Sequence, residues 1–353
     1  MNDRHPVQCI IPPYIAERLA QSADPRIRAR AVANLSRAAA FRAVRSFSQQ
    51  LPSLMVTTAP EKKKHRLVYD SRSTDQLPGT LARSEGGKSI KDPAVNEAYD
   101  GAGATYDFYE QLFERNSLDD RGMTLVSSVH VAEPDYGGSF VSMDNAFWNG
   151  EQMAYGDGDG VLFHRFTLSL DVIGHELTHG VTSFTSNLTY SGQSGALNEH
   201  FSDVFGILVR QWKNGESART ADWTVGRGVL VPAKTRRAIR DLENPGTAFT
   251  DDPDLGTDPQ PGHLKDLYLG NSDNGGVHIN SGIPNRAFVL AAKALGGNAW
   301  EAAGRIWYRT LLQLSSSSQF QDCAAMTLQI AATLGAAEKK AVKAAWRSVG
   351  LTV

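Results

Sequence analysis

The segment His175-Glu176-Leu177-Thr178-His179 constrains this chain more than any other feature of its sequence. In a helix, residues four apart share a face, so the two histidines can reach one metal ion. Glu176 lies one residue further round, close enough to take a proton from a water on that metal. The preceding run Leu168–Gly174 is largely apolar, which is typical of a buried helix. A solvated helix with a chance histidine pair is the alternative, but the pattern favours a buried, metal-binding helix.

A second acidic cluster, Gly195–Asp203, supplies the third ligand that such a site needs. Within it Glu199 and Asp203 are also four apart, so a ligand and an orienting carboxylate share one helix face. Metal-ligating histidines usually donate their other N–H to such a carboxylate. Two imidazoles, a glutamate ligand and an adjacent glutamate base are the donor set of zinc hydrolases. The sequence therefore predicts one zinc ion, held by the two histidines and Glu199.

Length and composition set the class of protein. At 353 residues the chain is long enough for two domains with an appendage. Its apolar and charged fractions, 41% and 21%, are ordinary for a soluble globular protein, and its apolar runs are too short for a transmembrane helix. The first residues lead into no long apolar core, so a secretory signal peptide is not expected. Cys9 and Cys323 are too few for a disulfide framework or a cysteine metal site, and Cys323 is expected to be a small buried side chain.

The N-terminal part of the chain is basic and the rest is acidic. Residues 1–66 contain 12 Lys and Arg against 4 Asp and Glu, and the remainder contains 24 against 34. Residues Ile15–Phe47 predict one or two helices, and Gln49–Lys64 an exposed linker. We expect the basic leader to dock electrostatically on the acidic body. A nucleic-acid-binding arm is the alternative, which the interleaved apolar residues and the lack of a reader motif disfavour.

The body of the chain changes character along its length. From Arg66 to about Phe166, strand-like runs alternate with glycine-rich turns, interrupted by one helix near Ala94–Arg115. After Leu197 the pattern is mainly helical, so the sequence predicts an α+β fold with a β-rich part before a helical part. The predicted strands include Arg66–Asp70, Thr124–His130 and Ser139–Met143, and the later helices are Pro284–Leu295, Glu301–Leu314, Cys323–Leu334 and Glu338–Val349.

Four motifs in order resemble the thermolysin family of zinc endopeptidases. They are Asp144–Gly150, Tyr155–Gly160, the zinc helix with Gly195–Asp203, and Asp273–Gly282. Nineteen residues separate His179 from Glu199, as in that family. The zinc aminopeptidases of the related gluzincin group have one fewer and carry a Gly-x-Met-Glu-Asn segment that is missing here.

The resemblance implies a two-domain fold with the zinc helix between a β-rich N-terminal and a mainly α-helical C-terminal domain. We expect a helical propeptide with its linker at 1–57, the β-rich domain at 58–182 and the helical domain at 183–353. The short basic leader resembles the protealysin-like branch, whose propeptide motif is similar to Cys9–Tyr14. It implies a zymogen, inhibited by its own propeptide and released by self-cleavage before Leu54, Met55 or Val56. Cys9 is interpreted either as a thiolate cap on the zinc or as a small buried side chain.

The resemblance also implies a role for each site residue. The zinc ligands are His175, His179 and Glu199; Asp203 orients His175, and Asn198 is the partner of His179. Glu176 is the general base, Tyr190 and His278 donate to the oxyanion, and Asp273 orients His278. Core packing is the alternative interpretation of Tyr190. The Gly275-Gly276 turn predicts that His278 is exposed and presented by a loop.

Substrate binding is implied for two further sets of residues. Backbone contacts are expected from Asn145, the Ala146 carbonyl and Arg240. An apolar pocket for the residue after the scissile bond is expected, which predicts cleavage before Leu, Phe, Ile, Val or Met; ordinary core packing is the alternative for each member. Its predicted lining is Phe163, Phe166, Val172, Val225, Val229 and Ile239.

The calcium sites of the family are largely missing from this sequence. Asp171 and Asp222 match two ligands of the double-calcium site, but arginine or threonine stands where the family has glutamates. A guanidinium cannot ligate calcium but can pair with the remaining carboxylates. We therefore predict few calcium ions, with Arg–Asp pairs in their place. The substituted positions are Arg210, Thr224 and Arg227, then Ser84, Gly86 and Lys88 at a third site, and Leu230, Val231 and Arg237 at a fourth.

The sequence thus predicts a monomeric zinc endopeptidase zymogen that acts on proteins or peptides and binds neither nucleic acid nor membrane. We expect secretion by a non-classical route, with a cytoplasmic location as the alternative. Two other functions stay open: a zinc peptidase retained inside the cell with the leader as a regulatory module, and a non-catalytic peptide-binding relative.

Overall fold

The computed structural model describes residues 8–33, 35, 62–135 and 137–353. It divides into two compact units, Met1–Gly180 and Val181–Val353. The leader is described in part: a strand β1 (Gln8–Cys9), a helix α1 (Pro13–Leu19) and further helical residues at 25–33. The predicted cleavage region at residues 54–56 lies outside the described residues. In the part of the chain that the structure describes, no helix is long and apolar enough to cross a membrane.

Unit 1 is built on a sheet. Among the described residues it has seven strands in the order β1-β6-β7-β4-β2-β3, with β5 also paired to β4. The β2–β4 and β4–β7 pairs are parallel, and the other pairs are antiparallel. The central strand β4 is buried along most of its length, because neighbours cover it on both sides. The strands after β1 are β2 (Arg66–Thr74), β3 (Thr80–Ser84), β4 (Leu125–Pro134), β5 (Phe140–Ser142), β6 (Ala146–Trp148) and β7 (Met153–Gly156).

Helix α2 (Pro93–Phe113) begins at a strong cap and packs on the helix that carries the histidines. The Asp92 carboxylate accepts hydrogen bonds from Ala94 N at 2.9 Å and Val95 N at 3.4 Å, and Pro93 needs no hydrogen-bond acceptor there. A Cβ at Gly101 would lie 2.4 Å from the Ile173 side chain, so a larger residue here would force that side chain to move.

The predicted buried helix is present as α3 (Leu170–Ser183). Its side chains from Val172 to Leu177 are at most 1% exposed, which excludes the alternative of a solvated helix. The Tyr109 hydroxyl of α2 lies 2.8 Å from Thr178 Oγ1 and fixes the rotation of α3. The histidine pair therefore faces the interior of the protein.

Unit 2 is mainly helical, with one short two-stranded ladder. Its core includes Trp307, whose ring stacks on Trp346 with centroids 6.3 Å apart and meets Phe288 edge-on at 5.0 Å. The α+β class is confirmed. The helices are α4 (Gly192–Asn214), α5 (Asp273–Asn280), α6 (Gly282–Leu295), α7 (Ala302–Leu311), α8 (Phe320–Leu334) and α9 (Ala336–Ser348), and the strands are β8 (Thr224–Val225) and β9 (Arg240–Asp241).

Candidate active site

In unit 1, His175 and His179 turn their rings towards one point. Their Nε2 atoms are 3.0 Å apart, the ring planes are at 88°, and both side chains are 0% exposed. Two nitrogens bound at 2.0–2.1 Å to one tetrahedral zinc ion would lie about 3.3 Å apart. The pair therefore fits two ligands of a zinc ion.

Glu176 is held beside them by the backbone of a strand. The Trp148 N–H of β6 donates to Glu176 Oε2 at 3.0 Å, and the carboxylate is fully buried. Burial, followed by the nearby Glu176 charge, raises the pKa of Tyr155 well above its ordinary value. This arrangement gives the carboxylate a fixed orientation beside β6, which a general base requires.

The leader lies on the same strand. Strand β1 pairs antiparallel with β6, with Cys9 opposite Phe147. The next two backbone N–H groups donate as well, Ile10 to the Ala146 carbonyl and Ile11 to Asn145 Oδ1, each at 3.2 Å. Asn145 and Ala146 are the residues predicted to bind the substrate backbone, so the leader engages their acceptor groups.

Cys9 has an apolar environment. Its side chain is 7% exposed and belongs to a cluster with Val131, Met143, Phe147 and Ala154. Such surroundings are those of a small buried side chain.

In unit 2, four predicted site residues meet around one imidazole. The Tyr190 hydroxyl donates to Glu199 and lies 3.1 Å from His278 Nε2, which is 3.5 Å from Glu199 Oε1. Asp273 Oδ1 is 2.6 Å from His278 Nδ1, and its Oδ2 accepts the His278 N–H at 2.7 Å. Burial lowers the pKa of His278, but the charges of Glu199 and Asp273 outweigh it and raise the pKa to about 9. The two carboxylates thus favour the charged form of the imidazole, whose Nε2 points towards Tyr190.

The predicted exposure of His278 is wrong. Its side chain is 2% exposed and lies inside α5. The preceding Asn274, Gly275 and Gly276 have left-handed backbone, with φ of 52°, 83° and 78°. This reversal brings Asp273 back to the histidine ring, so the glycines shape the backbone rather than expose the side chain.

Two side chains donate hydrogen bonds to Asp203, and only one of them, Arg240, is a predicted site residue. Arg240 Nη2 donates to Asp203 Oδ1 at 2.7 Å, and Asn285 Nδ2 donates to Oδ2 at 2.9 Å. Arg240, predicted to contact substrate, is 0% exposed and turned to this carboxylate. Asn285 was not predicted, since it lies in no motif with metal-ligand spacing. Asn198 Nδ2 donates to the Leu188 carbonyl at 3.1 Å.

Comparison with known protein families identifies the family of this chain. Residues 55–183 match the thermolysin metallopeptidase catalytic domain, and residues 186–351 match the thermolysin metallopeptidase alpha-helical domain. The chain belongs to the thermolysin metallopeptidase family. It is therefore a metalloendopeptidase, and the suspected resemblance is confirmed.

Some relatives of this thermolysin-family chain match it over almost its whole length. An extracellular metalloprotease of Pectobacterium carotovorum subsp. carotovorum is 44% identical, covering 99% of this chain and 97% of the relative. Protease PrtS of Photorhabdus sp. (strain Az29) is 48% identical over 82% of this chain and 77% of its own length. The precursor of protealysin, a metalloproteinase from Serratia proteamaculans, superposes with a TM-score of 0.87 at 43% identity, covering 98% of this chain and all of that structure. The match to this precursor thus includes the described residues of the leader.

The predicted pocket residues of this thermolysin-family enzyme are buried in their respective units. Phe163 and Phe166 of unit 1 have ring centroids 5.9 Å apart. All six side chains are 0% exposed, which fits both a pocket and a core, so their role stays a prediction. They are Phe163, Phe166 and Val172 in unit 1, and Val225, Val229 and Ile239 in unit 2.

Two arginines of unit 2 lie at positions that the resemblance matches to the double-calcium site. Arg210 donates to the backbone oxygens of Thr224 at 2.8 Å and Asp222 at 2.5 Å, and Arg227 donates to the Asp222 carboxylate at 3.0 Å. Thr224 N–H and hydroxyl bind the other Asp222 oxygen at 2.9 and 2.7 Å. Donors from the protein thus engage the oxygens of Asp222 and Thr224, and the loss of calcium binding stays a prediction.

Proposed function

We propose that this chain is a zinc-dependent neutral endopeptidase made as a zymogen, which cleaves peptide bonds before bulky apolar residues. The observation that carries the proposal is the buried pair His175–His179, with converging nitrogens and the Glu176 carboxylate fixed beside it. Membership of a metallopeptidase family supports the same chemistry.

Zinc would be held by His175, His179 and Glu199, all of which are buried. Imidazole and carboxylate are ordinary zinc donors, and three protein ligands leave a position open for reaction. When bound, zinc supplies a Lewis acid that polarises the scissile carbonyl and makes a water more acidic.

Glu176 has the role of proton carrier in this proposal. Its carboxylate takes a proton from the attacking water and then passes it to the leaving amine. The hydrogen bond from Trp148 N–H keeps the carboxylate oriented through both transfers. A fixed base costs less reorganisation during the reaction than a mobile one.

Tyr190 and His278 would stabilise the charge that develops on the carbonyl oxygen. Their donor atoms are 3.1 Å apart, so one oxygen can accept from both. Asp273 keeps the proton on Nδ1 and favours the charged ring, which leaves the Nε2–H for the oxyanion. Arg240 and Asn198 complete the proposed site as neighbours of the carboxylate Asp203 and the zinc ligand Glu199.

The leader would inhibit by using the groups that bind substrate. Ile10 and Ile11 donate their backbone N–H groups to Ala146 and Asn145, which a substrate backbone would need. A bound leader and a bound substrate therefore exclude each other. Release by self-cleavage before Leu54, Met55 or Val56 completes the proposal, because those bonds match the proposed specificity.

Location and calcium dependence are further parts of the proposal. We propose that the chain is secreted, which the name of one relative, an extracellular metalloprotease, supports. The non-classical route is part of the proposal without support from that name. The hydrogen bonds of Arg210 and Arg227 support an enzyme that needs little calcium. We take the active form to be a monomer.

The test compares purified wild type with Glu176→Ala by mass spectrometry, bound-zinc analysis and a casein-type assay. We expect wild type to lose its leader and gain activity, while Glu176→Ala stays full length, each with about one zinc ion. The proposal fails if both proteins stay intact and remain inactive after limited proteolysis of the linker.

A further inference from the structure

A chain of buried hydrogen bonds in unit 2 ends on Asp203. Trp307 Nε1 donates to His200 Nε2 at 2.8 Å, and His200 Nδ1 lies 2.8 Å from Asn285 Oδ1. Asn285 Nδ2 then donates to Asp203 Oδ2 at 2.9 Å. All four side chains are 0% exposed, so water does not compete for any of these bonds.

The Trp307 indole sets the donor and acceptor roles in all of these hydrogen bonds. An indole nitrogen can only donate, so His200 Nε2 must accept and the ring carries its single proton on Nδ1. That proton goes to the Asn285 oxygen, which leaves the amide NH₂ for Asp203. The opposite arrangement would turn the amide oxygen towards the Asp203 carboxylate, and two acceptors would then face each other.

Helix packing keeps each residue of this hydrogen-bond chain in place. His200 and Asp203 lie three residues apart on α4, Asn285 belongs to α6 and Trp307 to α7. The Trp307 ring is stacked on Trp346 and meets Phe288 edge-on. Three helices thus converge on one carboxylate.

A second group restrains the same carboxylate. Arg240 Nε lies 3.0 Å from both Asp203 oxygens, and its Nη2 donates to Oδ1. Together with Asn285, the guanidinium determines the plane in which the carboxylate lies. Orientation of this kind is what an outer partner of a metal-ligating histidine must supply.

We propose that Trp307, His200 and Asn285 are positioning residues that orient Asp203 for zinc retention. The inference rests on the proposed function and on the role of orienting carboxylate that the family resemblance implies for Asp203. Trp307 acts by specifying the His200 tautomer, and His200 acts by specifying the amide orientation of Asn285. None of the three touches the zinc or the substrate.

Trp346 offers a matched control for Trp307. Both indoles are 0% exposed, they stack on each other, and Trp346 Nε1 donates to Thr327 Oγ1 at the same 2.8 Å. A Trp→Phe change at either position removes one buried indole N–H from the same stack. Only the change at Trp307 interrupts the chain that leads to Asp203.

The experiment measures zinc affinity by chelator competition in full-length Glu176→Ala protein, which does not cleave itself. We expect Trp307→Phe to weaken zinc binding about tenfold, the lower end of the effect of losing an outer partner, and Asn285→Leu up to about a hundredfold. The zinc affinity of Trp346→Phe should stay close to that of the parent. Both Trp→Phe changes should lower the thermal midpoint to a similar extent. Equal zinc affinities for the two Trp→Phe variants would overturn the proposal.

Nitrogen-15 NMR of the ring of His200 gives a second readout, and its measurement on the parent alone tests the proposed tautomer even if a variant does not fold. We expect the proton on Nδ1 in the parent and in Trp346→Phe, and a mixture of tautomers in Trp307→Phe. A proton on Nε2 in the parent would overturn the proposal by itself. If the parent binds no zinc, the proposed function fails instead; if it binds zinc but the variants do not differ, only this inference fails.

Discussion

The backbone N–H of Ile11 donates to the side-chain oxygen of Asn145, 3.2 Å away and 134 residues later in the chain. With Ile10 on Ala146, this contact places the leader on the edge of β6, next to the strand position whose N–H holds Glu176. The leader therefore binds by backbone pairing and apolar burial, and its electrostatic docking stays a prediction. Its inhibition should depend on this short segment.

Shortening the Ile10 side chain should weaken latency. Ile10 is 0% exposed, and an Ile→Ala change in such a position costs about 2–5 kcal/mol, which reduces leader docking. We expect Ile10→Ala to show faster release of the leader and higher activity before cleavage, measured by mass spectrometry and peptide hydrolysis on the same samples. Gln21→Ala, an exposed leader change, is the control and should leave latency unaltered.

Removing the Tyr190 hydroxyl should slow the chemical step. The hydroxyl lies beside His278 Nε2, and loss of one oxyanion donor lowers kcat about 10²- to 10³-fold. Tyr190→Phe should therefore reduce kcat with a small change in KM on a peptide substrate. Tyr106→Phe removes a buried hydroxyl that bonds to Asn116, and it should keep wild-type kcat. A Tyr190→Phe enzyme with wild-type kcat would place Tyr190 in the core-packing role.

Stability should fall at alkaline pH because of His130. Its Nδ1 lies 2.8 Å from Asp157 and its Nε2 2.7 Å from Asp92. Hydrogen bonding to Asp157 raises the pKa of His130 to about 9 against the opposing effect of burial, with Asp92 adding to the rise. Because the folded-state pKa is raised, the stabilisation is fully present below about 6.5, the ordinary value, and is lost as pH rises through 9.

We expect this contribution to be about 1 kcal/mol after solvent screening, since the site is partly exposed. Urea unfolding of Glu176→Ala protein between pH 6 and 10 measures it. Between pH 8 and 10 the free energy of unfolding should fall much less in His130→Gln than in the parent. In His65→Gln, a change at an exposed position, it should fall as much as in the parent. Identical pH profiles for parent and His130→Gln would contradict the assignment.

Calcium should add little stability. Arg210 and Arg227 bind the oxygens of Asp222 and Thr224 that a cation would need. We expect chelator-washed, zinc-reloaded Glu176→Ala protein to keep its thermal midpoint, and millimolar calcium to leave that midpoint unchanged. Arg210→Ala should destabilise by about 1–3 kcal/mol, because buried carbonyls lose their donor. A large rise in the midpoint on adding calcium to the parent would show that a calcium site persists.

Much of the candidate site could be predicted from local sequence. The i,i+4 spacing of His175 and His179 predicts one helix face with two imidazoles, and the structure has that face buried with both nitrogens converging. Helical periodicity likewise predicted α2 and the later helices within a few residues. These features depend on residues close together in the chain, where the geometry of a helix decides which side chains meet.

Contacts between distant segments could not be predicted in this way. Strand β1 has two residues and exists only because β6 is there to pair with it. His278 was predicted to be exposed because a glycine turn precedes it, yet the left-handed backbone folds it onto Asp273. The positions of His200, Asn285 and Trp307 follow from packing of three helices, which no local pattern encodes.

The sequence by itself determined the family, the α+β class and the residue types for zinc chemistry, because ordered motifs and helical spacing are local properties of the chain. Only the tertiary structure decided that the leader pairs with the edge of β6, that Arg240 turns to Asp203, and that an indole sets the orientation of Asn285. The physical reason is that buried hydrogen bonds between distant residues form only when packing has removed water from both partners.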